Sequence, residues 1–261
     1  MDQTDPLVAV TISDGIAMVQ VDDPAHRNAI SYELSKQLAA AVGAIRADER
    51  VGALILTATP PVFSAGGSID DLESPPGPLS AVYAGFEALA ACAFPTIAIV
   101  AGPAIGAGVN LALACDVILA SPAAVFDCRF LDIGIHPGGG HLWQLRHRVG
   151  RQGAAALVLL GDTLTGREAE ARGLVWRCVE DDELLPLALR LAHRAARRPA
   201  PVVRRTKATL DRSAAVTTAA DAADLERTAQ EWSMQQPEFV EGVRRLRHRI
   251  RGAEESPADP G

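Results

Sequence analysis

Along the first two thirds of the chain, short apolar runs alternate with stretches in which apolar residues return every three or four positions. Residues 8–12 and 16–21 flank Ser13-Asp14-Gly15, a pattern that predicts a β-hairpin. Ser31 then precedes Leu34, Leu38, Ala41, Val42 and Ile45, a helical period opened by a capping residue. Residues 53–57 are a short apolar run, as expected of a strand covered on both faces of a sheet. The loop 60–68, a helix around 79–92 and a second buried strand over 96–101 follow. A Gly-rich turn over 102–108 leads directly into an apolar helix through Cys115, and 117–120 and 124–127 predict further strands. Strand–loop–helix units repeated in this order specify an α/β architecture with crossover connections.

From Gly140 onward the period is helical. Only 174–179 still reads as a strand. Residues 183–198, 201–212, 217–235 and 237–251 read as helices, punctuated by Pro186, Pro199, Pro201 and Pro237. The chain thus divides into an α/β core over 1–182 and a helical region over 183–251. Residues 252–261 lack apolar content and read as a disordered tail. Val202, Val203, Leu210, Leu225, Trp232, Phe239, Val240, Val243 and Leu246 supply more apolar surface than one thin helical layer buries, so an oligomer interface is expected there.

Composition narrows the classes. At 48% apolar and 22% charged over 261 residues, the chain has the makings of a large core and is not wholesale disordered. The 32 acids and 25 bases give a net charge of −7, which speaks against a nucleic-acid partner. Eight bases fall within 190–212; a solvated helix face is the plainer reading, contact with phosphates the other. Cys92, Cys115, Cys128 and Cys178 have no metal-ligand spacing and read as small buried hydrophobes, and Trp143, Trp176 and Trp232 as packing anchors. The opening Met-Asp-Gln-Thr-Asp-Pro is no signal peptide, and the apolar runs break short of a membrane span. The expectation is a soluble, cytoplasmic protein with no membrane or metal site.

The candidate chemistry lies in the two Gly-rich turns. Phe63-Ser64-Ala65-Gly66-Gly67-Ser68-Ile69 and Gly102-Pro103-Ala104-Ile105-Gly106-Ala107-Gly108-Val109 each leave a buried strand and enter a helix. Small residues there let backbone N–H groups face a ligand. Two such turns at strand ends can aim one N–H each at a single oxygen, an oxyanion hole for a carbonyl gaining negative charge. Taken singly, each is also an ordinary tight connection.

Seven segments in register over about residues 8–250 resemble the crotonase superfamily, the enoyl-CoA hydratase/isomerase family. They are Arg27-Asn28-Ala29-Ile30, the turn at 63–69, the stretch 101–116 closing on Ala-Cys-Asp, Ile133-Gly134-Ile135-His136-Pro137-Gly138-Gly139-Gly140, Leu160-Gly161-Asp162, Ala171-Arg172-Gly173-Leu174-Val175 and Glu241-Gly242-Val243. The resemblance implies an α/β spiral of ββα units with a C-terminal helical region, assembled as a homotrimer or dimer of trimers. It implies an acyl-CoA or enoyl-CoA thioester substrate, with coenzyme A carried by the substrate and no further cofactor. By motif position, the N–H groups of Gly67 and Ala107 would hold the thioester carbonyl, with Gly108 the neighbouring candidate. Gly66 and Ser68 belong to the same turn. The Ala65 carbonyl falls where relatives contact the adenine, and Arg27 and Ala29 fall along the coenzyme.

The chain departs from the family at the two glutamates that exchange protons in its hydratases. Asn110 stands at the first position and Phe130 at the second, and neither titrates near neutral pH. Ser68 replaces an acid usual in the first turn. Three side chains are candidate substitutes: Asp132, which on a strand would share the face of Phe130, and His136 and His141, which flank Pro137-Gly138-Gly139-Gly140. Asn110 could instead hold a water or a substrate oxygen. The open readings are a hydratase or isomerase, another reaction on the same scaffold such as decarboxylation or thioester hydrolysis, and an acyl-CoA binder without catalysis.

Overall fold

The computed structural model describes residues 6–254, the last four as backbone only. These fall into two compact units that divide between Arg197 and Arg198. In the first, β1 (Val8–Ser13) and β2 (Ile16–Val21) form the expected antiparallel hairpin. Its two turn residues, Asp14 and Gly15, both have positive φ, the backbone twist that a two-residue hairpin requires. Helix α1 (Tyr32–Ala47) starts where Ser31 accepts a hydrogen bond from the Leu34 N–H. Then come β3 (Ala53–Ala58), the short α2 (Ile69–Glu73), α3 (Leu79–Ala90) and β4 (Thr96–Val100). They are followed by β5 (Ala104–Ile105), α4 (Ala107–Leu113), β6 (Val117–Ala120) and β7 (Val125–Asp127). After a 3-10 turn (Arg129–Ile133) the chain forms α5 (His141–Leu159), β8 (Thr163–Thr165), α6 (Gly166–Ala171), β9 (Arg177–Cys178) and α7 (Asp181–Ala196).

The main sheet runs β1-β2-β3-β4-β6-β9, parallel except for the β1–β2 hairpin, and a second sheet orders β5-β7-β8. The period of two sorts the buried strands between two cores. Ala17, Val19, Leu54, Leu56, Ala98 and Val100 pack with Leu34, Leu38, Val42 and Ile45 of α1 and Leu89 of α3. Their alternates Ile16, Ala53, Ile55, Ile97, Ile99 and Leu119 pack with Leu184, Ala188 and Ala192 of α7. A sheet covered on both faces has no room for a polar alternate, which is why its strands read as unbroken apolar runs.

Several expectations change. Helix α7 covers the sheet, so the first unit extends to Arg197 rather than to 182. Pro186 lies inside α7 and does not end it. The strand expected over 174–179 is reduced to Arg177–Cys178, and β8, which pairs with β7, gave no apolar signal because Thr163 and Thr165 are exposed. Helix α5 is broken at Gly150, where φ is 69°. Trp143 and Trp176 are 57% and 64% exposed, so neither anchors the core. Cys92, Cys115 and Cys128 are buried, as expected of small hydrophobes.

The second unit contains α8 (Ala200–Ser213), α9 (Ala219–Met234) and α10 (Pro237–Glu254). Here Trp232 is half-buried beneath the Arg205 guanidinium, 5.0 Å from its ring. Phe239, Val240 and Leu246 remain exposed within this unit. Helix α10 continues past 252 to Glu254; the rest of the expected tail lies outside the described residues. Among the described residues no helix is long and apolar enough to cross a membrane.

Candidate functional site

The turn after β3 is tied down on both sides. The N–H groups of Phe63 and Ser64 donate to the Pro103 carbonyl at 3.0 and 3.1 Å, and Ile105 N–H donates back to Ser64 at 2.9 Å. On the other side Ala65 N–H donates to Arg27, Ile30 N–H to Gly66 and Ser68 N–H to Ile30. The buried Ser64 hydroxyl donates to the Asn28 carbonyl at 2.7 Å. Asn28 takes a left-handed conformation that asparagine tolerates, and its amide donates to Thr59 and Val62 at 2.8 Å each. Ser68 caps α2 by accepting from Asp71 N–H, and the Asp71 carboxylate accepts from Tyr32 N–H at the start of α1. Asp70 and Asp71 thus sit in the first helical turn, as their position after Ser68 suggests.

The two Gly-rich turns interlock. A Cβ on Gly66, whose φ is 99°, would lie 2.9 Å from the Ile105 carbonyl oxygen, and one on Gly108 would lie 2.7 Å from both Cβ and carbonyl oxygen of Ser64. Only glycine allows this approach. Gly108→Ala is therefore expected to destabilise the fold by about 1–3 kcal/mol, the usual range for overpacking. Gly43→Ala, in exposed helix with nothing within 4 Å, should stabilise by about 0.5–1 kcal/mol. Urea unfolding of the two variants against wild type checks the contrast.

At the seam the N–H groups of Gly67 and Ala107 find no acceptor among the described residues. Ala107 N lies 3.8 Å from where a Gly66 Cβ would be, so the two turns meet beside these donors. Gly67 and Ala107 are half-buried; Arg27 and Ala65 are exposed at the edge, with Ala29 half-buried between them.

One helical turn beyond Ala107, the side chain of Asn110 is 5% exposed. Its Nδ2 donates to the Gly138 carbonyl at 2.8 Å, which leaves Oδ1 to accept from His141 Nδ1 at 2.5 Å. His141 is 1% exposed and its Nε2 has no hydrogen-bond partner among the described residues. Burial pushes its pKa down to about 4, so the imidazole is neutral at pH 7, with the proton on Nδ1 and a lone pair on Nε2. The Phe130 ring stands against it, centroids 4.9 Å apart, and is 4.0 Å from where a Gly106 Cβ would be. The structure therefore gathers Asn110, Phe130 and His141, three residues that the sequence separates.

It does not gather the other candidates. The segment carrying Asp132 is a 3-10 turn with three residues per turn, so Asp132 does not share the face of Phe130; its carboxylate is exposed. His136 is exposed too, with Nδ1 donating to the Pro137 carbonyl at 2.7 Å. Two contributors went unread in the sequence. Tyr83 of α3 packs against Gly138 and Gly139, and burial raises its pKa. Arg148 of α5 donates to the carbonyls of Leu113 and Cys115 at 2.9 and 2.6 Å, closing the C-terminal end of α4. Neither has a spacing signal, because each acts across elements.

A mostly parallel sheet with helices on both faces, joined to strand-end turns that interlock, defines a particular class of α/β protein. The family model described as enoyl-CoA hydratase/isomerase matches residues 11–250. A Mycobacterium tuberculosis protein named "Probable enoyl-CoA hydratase EchA14" is 39% identical over 260 residues, 95% of this chain and 100% of that protein. A "Probable enoyl-CoA hydratase" of Rhizobium meliloti is 35% identical over 207 residues, 78% of this chain and 80% of that one. Among solved structures, a probable enoyl-CoA hydratase/isomerase from Mycobacterium abscessus superposes with TM-score 0.81 at 32% identity, covering 92% of this chain and 95% of the other. An enoyl-CoA hydratase subunit from Geobacillus kaustophilus gives TM-score 0.86 at 27% identity, covering 98% of each. The chain belongs to the enoyl-CoA hydratase/isomerase family, the crotonase superfamily, and has its fold.

Proposed function

We propose that this protein binds acyl-CoA thioesters and holds the thioester carbonyl oxygen between the N–H groups of Gly67 and Ala107. The observation that carries the reading is the pair of unpaired donors on interlocked turns. Phe63, Ser64, Ala65, Gly66 and Ser68 spend their N–H groups within the fold, while Gly67, Ala107 and the neighbouring Gly108 do not, so the interlocked turns keep donors for an acceptor from outside. The exposed edge formed by Arg27, Ala29 and Ala65 gives the coenzyme a surface to lie on, with Gly66, Ser68 and Gly108 shaping the turns beneath. Enoyl-CoA hydration or isomerisation is the nominal family chemistry. Isothermal calorimetry with acetoacetyl-CoA or octanoyl-CoA should show saturable heat; none at millimolar ligand removes the reading.

A second reading, a binder without catalysis, draws on Asn110 and Phe130, which put an amide and a ring where proton exchange is needed. Turnover of an acyl-CoA panel followed by mass spectrometry of the products separates the two. We also propose a trimer or pair of trimers built through the apolar faces of the helical region. Light scattering should give three or six times the 27.4 kDa of one chain, and a mass near one chain refutes it.

A further inference from the structure

We propose that His141 is the proton-transfer residue of this site, its Nε2 taking a proton from the carbon next to the thioester carbonyl. The inference rests on the acyl-CoA reading above and deepens it. Its first support is the orphaned nitrogen. A buried acceptor left without a donor is costly, so a core histidine kept for packing alone is expected to be satisfied at both nitrogens. Here one nitrogen is fixed by Asn110 and the other is open.

The second support is the tautomer. Asn110 Nδ2 is committed to the Gly138 carbonyl, so only its oxygen faces the imidazole, and the ring must carry its proton on Nδ1. That leaves Nε2 as the lone-pair nitrogen, the form needed to accept a proton.

The third support is place. Asn110 lies three residues after Ala107 on one helix, on the neighbouring turn of the same face. Phe130 lies edge-on to the imidazole, ring centroids 4.9 Å apart, and 4.0 Å from where a Gly106 Cβ would be, one residue before Ala107. Phe130 is half-buried on a 3-10 turn whose neighbours Leu131 and Ile133 are exposed. For Nε2 to reach a carbon whose neighbouring carbonyl is held by the two backbone donors, the Phe130 ring must turn aside.

The step needs no partner reagent. The α-carbon's C–H bond breaks, its proton passes to Nε2, and its electron pair forms the carbon–carbon double bond of an enolate. The carbonyl π pair moves onto the oxygen held by Gly67 and Ala107. The imidazolium then trades its Nε2 proton with solvent water and returns the exchanged proton to the same carbon, or delivers a proton to the γ-carbon when the substrate carries a β,γ double bond. The first outcome exchanges hydrogen, the second moves the double bond.

The test is deuterium uptake at the α-carbon of butyryl-CoA in D2O, read by mass spectrometry, with calorimetric binding measured on the same samples. His141→Asn keeps a donor for Asn110 but has no Nε2; Glu87→Gln removes the exposed carboxylate at the rim of a small cavity that Phe86, Asn110 and His141 line, and serves as control. Expected are saturable binding in all three proteins, exchange in wild type and Glu87→Gln, and at least a hundredfold slower exchange in His141→Asn. Binding by wild type with no exchange overturns the proposal, as does exchange that survives in His141→Asn. Absence of binding instead removes the acyl-CoA reading on which it rests. Should His141→Asn fail to fold, wild type and Glu87→Gln decide: the same flat exchange rate from pH 8 to 5, falling towards pH 4 as the imidazole protonates, is required. A fall in that limb on removing Glu87, or centred near the ordinary histidine value, overturns the assignment. The other titratable group at hand, Tyr83, stays protonated across this range because burial raises its pKa.

Discussion

Gly67→Pro is expected to abolish saturable binding of acyl-CoA thioesters at millimolar ligand, while Gly67→Ala leaves it measurable. The contrast isolates one donor. Gly67 N–H makes no hydrogen bond among the described residues, so its removal takes none from the stitched network of Ser64, Gly66, Ser68 and Ile30. A Cβ at Gly67 would meet only Leu72, at an ordinary 3.5 Å, so alanine is accommodated. Proline occupies similar ground but carries no N–H. For any turnover found in the product panel, loss of one donor to a developing oxyanion costs about 10²–10³-fold. Calorimetry and circular dichroism together decide the matter: equal folding with equal binding in both variants sinks the role of Gly67.

Much of the first unit could be read from the sequence because its physics is local or periodic. Strands covered on both faces cannot hide their apolar runs, and Ser31 advertises the start of α1 by a capping preference that acts over three residues. Both Gly-rich turns were visible for a related reason, since close backbone approach leaves only glycine at Gly66 and Gly108. What the turns approach was not visible. Contact between Gly108 and Ser64 is set by the order of strands in the sheet, which composition and period do not encode.

The candidate proton-transfer residues show the same limit more sharply. Asp132 and His136 looked equivalent to His141 in sequence, each a titratable group in a glycine-rich stretch. They separate only in three dimensions. Residues 129–133 form a 3-10 turn and no strand, which leaves Asp132 in solvent, while the first turn of α5 buries His141 against Asn110, 31 residues earlier in the chain. Tyr83 and Arg148 were missed because a tyrosine or arginine within a helical period says nothing about which neighbouring element it will touch. Likewise β8 escaped because an exposed edge strand of three residues has no apolar pattern to detect.

Wild-type hydration of crotonyl-CoA is expected to be slower than that of an efficient hydratase, about 10³ per second, by roughly 10⁴-fold or more. Hydration adds a hydroxyl at one carbon and a proton at the next, so two titratable groups must face the double bond. Each contributes on the order of 10²–10⁴-fold. Asn110 spends its amide on Gly138 and its oxygen on His141, and Phe130 has no proton to exchange. One imidazole can move a proton at the α-carbon but cannot also activate water at the next. The double variant Asn110→Glu, Phe130→Glu should therefore gain hydration over wild type, by about tenfold at least if each carboxylate recovers even a small part of its usual effect. The gain has a structural risk that the measurement must separate. A carboxylate at 110 keeps an acceptor for His141 Nδ1 but faces the Gly138 carbonyl with no donor, so the loop at 138–140 must shift. Thermal unfolding of the variant alongside the ultraviolet assay for enoyl thioester loss tells a collapsed site from an inactive one. A wild-type turnover on the order of 10³ per second would show that Asn110 and Phe130 do not stand where the proton-exchanging groups act.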